Sequence, residues 1–330
     1  MQTITVNKND GGQRLDKFLT KCIGGLPASL MYKYLRKKRI KLNGKRAAGD
    51  MIVSEGDVIE LYIPDEFTPE KRGAADPPPL SAPKLDVVYE DENIILTDKR
   101  PGQLVHIGDG DDGSGTLIHH IKSYLILRGE YDPASENSFA PSLCNRIDRN
   151  TGGIVIAAKN AETLRAVCEA IKESHIDKRY LCAVHGKPKK NSDVAEAYLF
   201  KNSRTKTVTV TSTQVRGAKP IKTGYRFVDY NPSLDISLLE VRLYTGRTHQ
   251  IRAHMAYLGM PLVGEGKYGE NKNDRRLRWK HQALYSYKLT FREDTGPLSY
   301  LCGRTFIAKP ENIRFLEFFD PGKYSALLGK

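Results

Sequence analysis

The side chains that could do chemistry in this sequence gather in three short stretches. They are Arg146 and Asp148 within NRIDRNTGG, Lys178-Arg179-Tyr180 within KRYLCAVHG, and Arg247, His249, Gln250 and Arg252 within GRTHQIR. A carboxylate can attack as a nucleophile or act as a fixed negative charge. A nearby arginine keeps it ionised against the desolvation of a closed pocket, and a tyrosine supplies an aromatic face. Other patterns fail on their context. GEGKYG, residues 264–269, fits a dinucleotide fingerprint in letters only, because no buried strand precedes it and the polar NKNDRR follows, so it reads as a turn. GDGDDGSG lacks the oxygen ligand and the closing glutamate of a calcium loop. His249 and His254 are five apart, on different sides of a helix, and do not form a zinc pair. No metal site is expected.

The elements that must position these residues can be read around them. The chain has 330 residues, enough for about two domains. Five scattered cysteines without a CxxC pair argue for a reducing compartment and against a disulfide framework. The polar N-terminus MQTITVNKNDGG is not a signal peptide, and no apolar run reaches the length of a membrane span. A cytoplasmic, monomeric protein with no membrane partner is the expectation. Residues 65–83 hold five prolines and read as a linker between a module at 1–64 and a catalytic domain at 84–330.

The module reads as helix, helix, hairpin. Leu15, Phe18, Leu19 and Cys22 form one helical stripe; Met31, Tyr34 and Leu35 face inward on a second helix. Ile40 and Leu42 alternate up to the tight-turn pair Asn43-Gly44, and Val58 to Ile63 close the module as a strand. In the large domain, GIVIAAK is a strand buried on both faces, followed by a helix with Leu164, Val167, Cys168 and Ile171 in register. ISLLEVRLY is a strand leading to a helix with Ile251, Met255 and Leu258 inward, stopped by Gly259. The fold class is α+β: a small αα-β module plus a large mixed, mainly antiparallel sheet.

The formal net charge is +13. Eight of the positive charges, Lys33, Arg36, Lys37, Lys38, Arg39, Lys41, Lys45 and Arg46, lie between Ser29 and Gly49 with no acidic residue among them. A cluster of one sign on a helix and the hairpin after it suits a phosphate backbone. GQRLDKFL, this basic helix and IKLNGKRA together resemble the small RNA-binding domain first seen in ribosomal protein S-four.

NRIDRNTGGIVIAAKN, KRYLCAVHG and TGRTHQIRAHMAYLGMPLVGEGKYG, in this order and spacing, resemble the three signature segments of RluA-type pseudouridine synthases. The resemblance spans roughly residues 85–305. It implies Asp148 as the catalytic carboxylate, Tyr180 against the target base, Arg252 paired with Asp148, and Arg146 helping to displace the base from the RNA. Arg247, His249 and Gln250 are then expected at the substrate. Family members usually carry histidine where this chain has Asn145.

The implied reaction breaks the bond from ribose to N1 of uracil and remakes it to C5. Nothing is added or lost, so no cofactor is expected. The implied partner is RNA, large-subunit ribosomal RNA first. The alternatives are the same chemistry on transfer RNA, or a non-catalytic RNA-binding ribosome-assembly factor, toward which only Asn145 leans.

Overall fold

The structure is a computed structural model that describes residues 1–67, 77–106, 113–202, 204–205, 207–269, 274, 279, 281–294 and 296–329. Much of the expected linker, and the 108–112 part of the GDGDDGSG loop, lie outside the described residues. The chain forms two compact units, one of residues 1–84, 106–143 and 157–165, the other of 85–105, 144–156 and 166–330. The division is interleaved, where the sequence reading placed a single linker.

In the first unit, β1 (Gln2–Thr5), β3 (Ile40–Leu42), β4 (Lys45–Arg46) and β6 (Val58–Leu61) make a sheet of order β1-β6-β3-β4, while β2 (Gln13–Arg14) pairs with β5 (Ile52–Val53). Helices α1 (Leu15–Cys22) and α2 (Ala28–Arg36) pack onto it. All four stripe residues of α1 are buried, as are Met31, Tyr34 and Leu35 of α2. Each such large side chain contributes about 1.5–3 kcal/mol of transfer free energy. Asn43 and Gly44 both adopt positive φ, 51° and 74°, the geometry that closes a two-residue hairpin with native twist. Asp10 explains why 135–138 belongs to this unit. Its buried carboxylate accepts from the Ser138 amide at 3.0 Å, the Ser138 hydroxyl at 2.6 Å and Asn137 Nδ2 at 2.8 Å. Helix α3 (Leu117–Leu127) is capped by Thr116, and β9 (Ser142–Leu143) pairs with Ala157 and Ala158.

The second unit is built on a large sheet. Its strands are β7 (Val87–Glu90), β8 (Ile94–Lys99), β10 (Gly152–Ala158), β11 (Ile176–His185), β12 (Ser192–Asn202), β13 (Thr207–Thr211), β14 (Lys219–Asn231), β15 (Ile236–Leu243), β16 (Leu284–Phe291) and β17 (Thr305–Ile307). The order is β13-β12-β14-β15-β11-β16-β10-β8-β7, with β17 alongside β16. β10 and β16 run parallel, whereas β11, β12, β14 and β15 pair antiparallel, so the sheet is mixed and mainly antiparallel as expected. β10 is buried along its whole length.

Helix α4 (Ala161–Lys172) departs from its expected stripe. Thr163, Val167 and Ala170 are buried, and Cys168 is exposed. The packed face is centred on small residues to one side of the large apolar ones. Helix α5 (Gln250–Tyr257) carries the arginine of the third stretch, and Gly259 follows it at φ 81°.

Candidate active site

Two glycines bring the first stretch beside the second. β10 begins at Gly152 and Gly153, opposite Tyr285 and Ser286 of β16. A Cβ on Gly153 would lie 2.3 Å from the Ser286 carbonyl oxygen, and one on Gly152 would lie 2.2 Å from the Tyr285 ring. Gly153 also holds φ 118°, which L side chains rarely adopt. Only glycine lets the strand start this close. Tyr180 pairs with the same Ser286 from the other side of β16, at a register shift in the β11–β16 ladder. The loop bearing Asp148 and the strand bearing Tyr180 thus converge across one strand.

The loop is held at both ends. Asn145 is buried; its side-chain oxygen accepts from the Ile156 amide at 2.8 Å, and the Cys144 amide donates to the Ile156 carbonyl at 2.8 Å. The unusual residue before Arg146 is therefore a clamp on β10. At the other end Lys99, only 1% exposed, donates to the carbonyls of Arg100, Gln103 and Arg149 at 2.8–3.0 Å. Burial pushes its ammonium down to about 7, with the charge of Asp148 opposing. Between these anchors Arg146 is exposed, Ile147 buried and Asp148 partly buried.

Arg252 reaches Asp148 from the first turns of α5. Its Nη1 donates to Asp148 Oδ2 at 2.9 Å, while Nε and Nη2 grip Glu265 at 2.7 and 2.8 Å. The two bonds to Glu265 fix the plane of the guanidinium, and the third nitrogen is aimed at Asp148. Burial works against the charge on Arg252, but Glu265 and then Asp148 outweigh it and raise its pKa. Burial likewise opposes the Glu265 anion, and Arg252 overcomes it, leaving that carboxyl below its ordinary value. Glu265 sits after Gly264, where φ is 75° and a Cβ would meet the His281 carbonyl at 2.3 Å.

His249 stands at the start of α5 in the left-handed region, φ 53°, a strained conformation for a non-glycine residue. Its Nδ1 shares a 2.5 Å hydrogen bond with the Tyr268 hydroxyl, and its Nε2 lies 3.8 Å from Asp148. Burial lowers its pKa, with Asp148 partly opposing. Gln250 is spent on structure. Its oxygen accepts from Thr245 Oγ1 and the Arg247 amide, and its nitrogen donates to Thr223 Oγ1 and the Lys222 carbonyl. It shapes the 245–247 loop, and its amide has no group left over for a substrate. Arg247 is exposed at the rim. Tyr180 is 6% exposed, and burial pushes its phenol up to about 12.

Asp148, Tyr180, Arg252, Arg146, Arg247, His249 and Gln250 all line one cavity of about 560 Å³, enough for a nucleoside. Lys99, Glu265 and Tyr268 were not picked out by sequence reasoning. The last two sit in GEGKYG, whose glycines did signal an unusual backbone. Among the described residues no cluster of His, Cys, Asp or Glu could hold a metal, and no helix is long and apolar enough to cross a membrane.

In the first unit, seven of the eight basic residues are exposed and Lys41 is partly so. Among the described residues none makes an ion pair. Arg39 lies over the Tyr34 ring at 5.9 Å and Lys41 over the Tyr62 ring at 5.0 Å.

Comparison with known proteins adds to this geometry. The family model for RNA pseudouridylate synthase matches residues 93–257. An uncharacterised RNA pseudouridine synthase of Mycoplasma capricolum is 31% identical, covering 94% of this chain and 98% of its own length. The ribosomal large subunit pseudouridine synthase C of Escherichia coli is 31% identical over 84% of this chain and 82% of its own. Human RNA pseudouridylate synthase domain-containing proteins 4 and 1 share the fold, with TM-scores of 0.55 and 0.53 at 18% and 20% identity, over 71% and 72% of this chain and 92% and 96% of their own. The family model spans half of the chain and a relative aligns with nearly all of it, so this chain belongs to the RNA pseudouridylate synthase family and is an isomerase.

Proposed function

We propose that this protein isomerises uridine in large-subunit ribosomal RNA, with Asp148 as the essential group. The observation that carries the reading is the chain Glu265–Arg252–Asp148 in a cavity that also holds Tyr180. It keeps one carboxylate oriented where a ribose can meet it, as nucleophile or electrostatic partner, while uracil is freed from N1 and rejoined at C5. Tyr180 supplies the face against which the ring turns.

The target must leave its stack to reach this cavity. Exposure of Arg146 and burial of Ile147 agree with an alternating backbone, which sends Arg146 and Asp148 to one side. Arg146 fills the space the base vacates. The unpaired cations of residues 33–46 hold the surrounding RNA by its phosphates. Ribosomal RNA is favoured over transfer RNA by this module and by the name of the Escherichia coli relative. With Asn145 committed to the backbone of β10, no observation favours a purely binding role.

Asp148→Asn is expected to abolish tritium release from RNA labelled at uridine C5 while RNA binding persists. Wild-type turnover in that variant would overturn the assignment. Carbodiimide mapping of ribosomal and transfer RNA, with and without the protein, identifies the substrate.

A further inference from the structure

Lys178 is the cation that this site leaves over. It stands two residues before Tyr180 on β11, so the two side chains share a face of the strand, and both line the cavity. Arg179, between them, turns the other way and donates to Asp177 at 2.9 Å. Neighbouring cations have fixed partners: Arg252 on Asp148 and Glu265, Arg242 on Asp177, Lys172 on Glu169, Lys99 on three carbonyls. Arg146 and Arg247 are exposed, where water satisfies them. Lys178 is partly buried and has no hydrogen-bond or ion-pair partner among the described residues. Burial lowers its pKa, and no carboxylate opposes that shift. An ammonium kept this way costs free energy that an acceptor on a bound substrate would offset.

On the proposed reading, phosphates lie toward the exposed rim beside Arg247, whereas a flipped base enters beside Tyr180. We propose that Lys178 is a catalytic residue that donates a hydrogen bond to a ring carbonyl oxygen of the target uracil and stabilises the negative charge that forms there. This rests on the reading of the cavity as a uridine site. When the N1–C1′ bond breaks, its electron pair stays with the ring and spreads onto the ring oxygens, while C1′ is held by the Asp148 carboxylate. C5 then bonds to C1′ as the Asp148 carboxylate is released, the C5 proton leaves to solvent and N1 takes one up, so the atoms balance. Charge on the ring oxygens exists mainly between these events, and a donor placed there lowers the barrier more than it aids binding.

The test uses full-length protein and ribosomal RNA tritiated at uridine C5 from cells lacking it. Lys178→Met is expected to lower kcat about 100-fold, the scale of losing one donor to a developing oxyanion, with KM within about 3-fold. Lys178→Arg, charged at all accessible pH, is expected to recover much of kcat and to extend the alkaline limb of the pH–rate profile. The other titratable or charged groups facing the cavity, Cys144, Arg146, Asp148, Lys172, Asp177, Tyr180, Arg242, Tyr244, Arg247, His249 and Arg252, with Lys99 bound to the Asp148 loop, are unchanged in both variants. A shift of that limb therefore belongs to position 178. A raised KM at unchanged kcat would mean that the lysine meets a phosphate and would overturn the proposal. So would a loss of kcat that arginine neither rescues nor shifts in pH, which marks a structural lysine. If the wild type releases no tritium from any stable RNA, the uridine reading itself fails; if it does and Lys178→Met matches it, only this inference fails.

Discussion

The segment from Lys33 to Arg46 and the cavity around Asp148 are both rich in cations and treat them in opposite ways. In the segment the charges are exposed and without ion pairs among the described residues. Arg252 on the cavity wall and Lys99 behind the Asp148 loop are 7% and 1% exposed and tied to named oxygens by several hydrogen bonds each. Exposed like charges act as a sum: they attract a polyanion, no single member is essential, and salt weakens them. Buried cations act one by one, because each fixes an angle or a loop and cannot exchange its partner for water.

Breaking the buried set is expected to give the largest effect. Glu265→Gln removes the charge that orients Arg252 and leaves a buried guanidinium short of one carboxylate. Stability is expected to fall by about 3–5 kcal/mol, and kcat by about 100-fold as the arginine loses its aim. Denaturant titration and tritium release measure the two; an unchanged kcat would remove Glu265 from the positioning chain.

Lys99 gives an intermediate effect with a definite sign. Its folded-state value of about 7 lies below the unfolded value of about 10.4. The penalty for burying the ammonium is thus fully present below about pH 7 and relieved as pH rises through that window. Between the two values the unfolded chain binds more protons, so stability rises with pH, by at most about 1.4 kcal/mol per pH unit. In Lys99→Met this part of the slope disappears. Denaturation midpoints at several pH values compare the two, and equal slopes would place the ammonium in water.

The exposed set is expected to respond least per residue. Changing Lys33, Arg36, Lys37 and Lys38 together to glutamine should raise KM about 10-fold at physiological salt and leave kcat alone. It should also flatten log K against log salt by roughly 0.7–0.9 for each phosphate no longer neutralised. A single change of the four should stay within about 2-fold. A large kcat effect from this quadruple variant would erase the distinction between the two regions.

The same contrast governs what the sequence made legible. Periodic apolar positions announced α1, α2 and α5, because burial repeats with the geometry of a helix, and a nearly continuous apolar run announced β10, which is buried throughout. Asn43-Gly44 announced its turn because few residues accept positive φ. The expected catalytic group, with Arg146, Tyr180, Arg252 and His249, was legible through the resemblance of three segments to a family's signatures, and all five residues line one cavity. Gln250 shared that pattern, yet it builds the loop. Lys99 and Glu265 could not be read off. Their partners are set by which chain segments meet: Arg149 is 50 positions from Lys99, and Arg252 is 13 from Glu265. Cys168 had the right spacing, but α4 packs through Thr163 and Ala170, whose small size gives little periodic signal.

The close approach of Gly153 to Ser286 has a consequence for fidelity of assembly. A slip that brought Ile154 opposite Ser286 would press a side chain into the carbonyl that Gly153 now meets. The strand pair thus has a hard stop. The alignment of the Asp148 loop with Tyr180 rests on a steric index mark, as a dowel sets two machined plates, a contact of shape that owes nothing to charge.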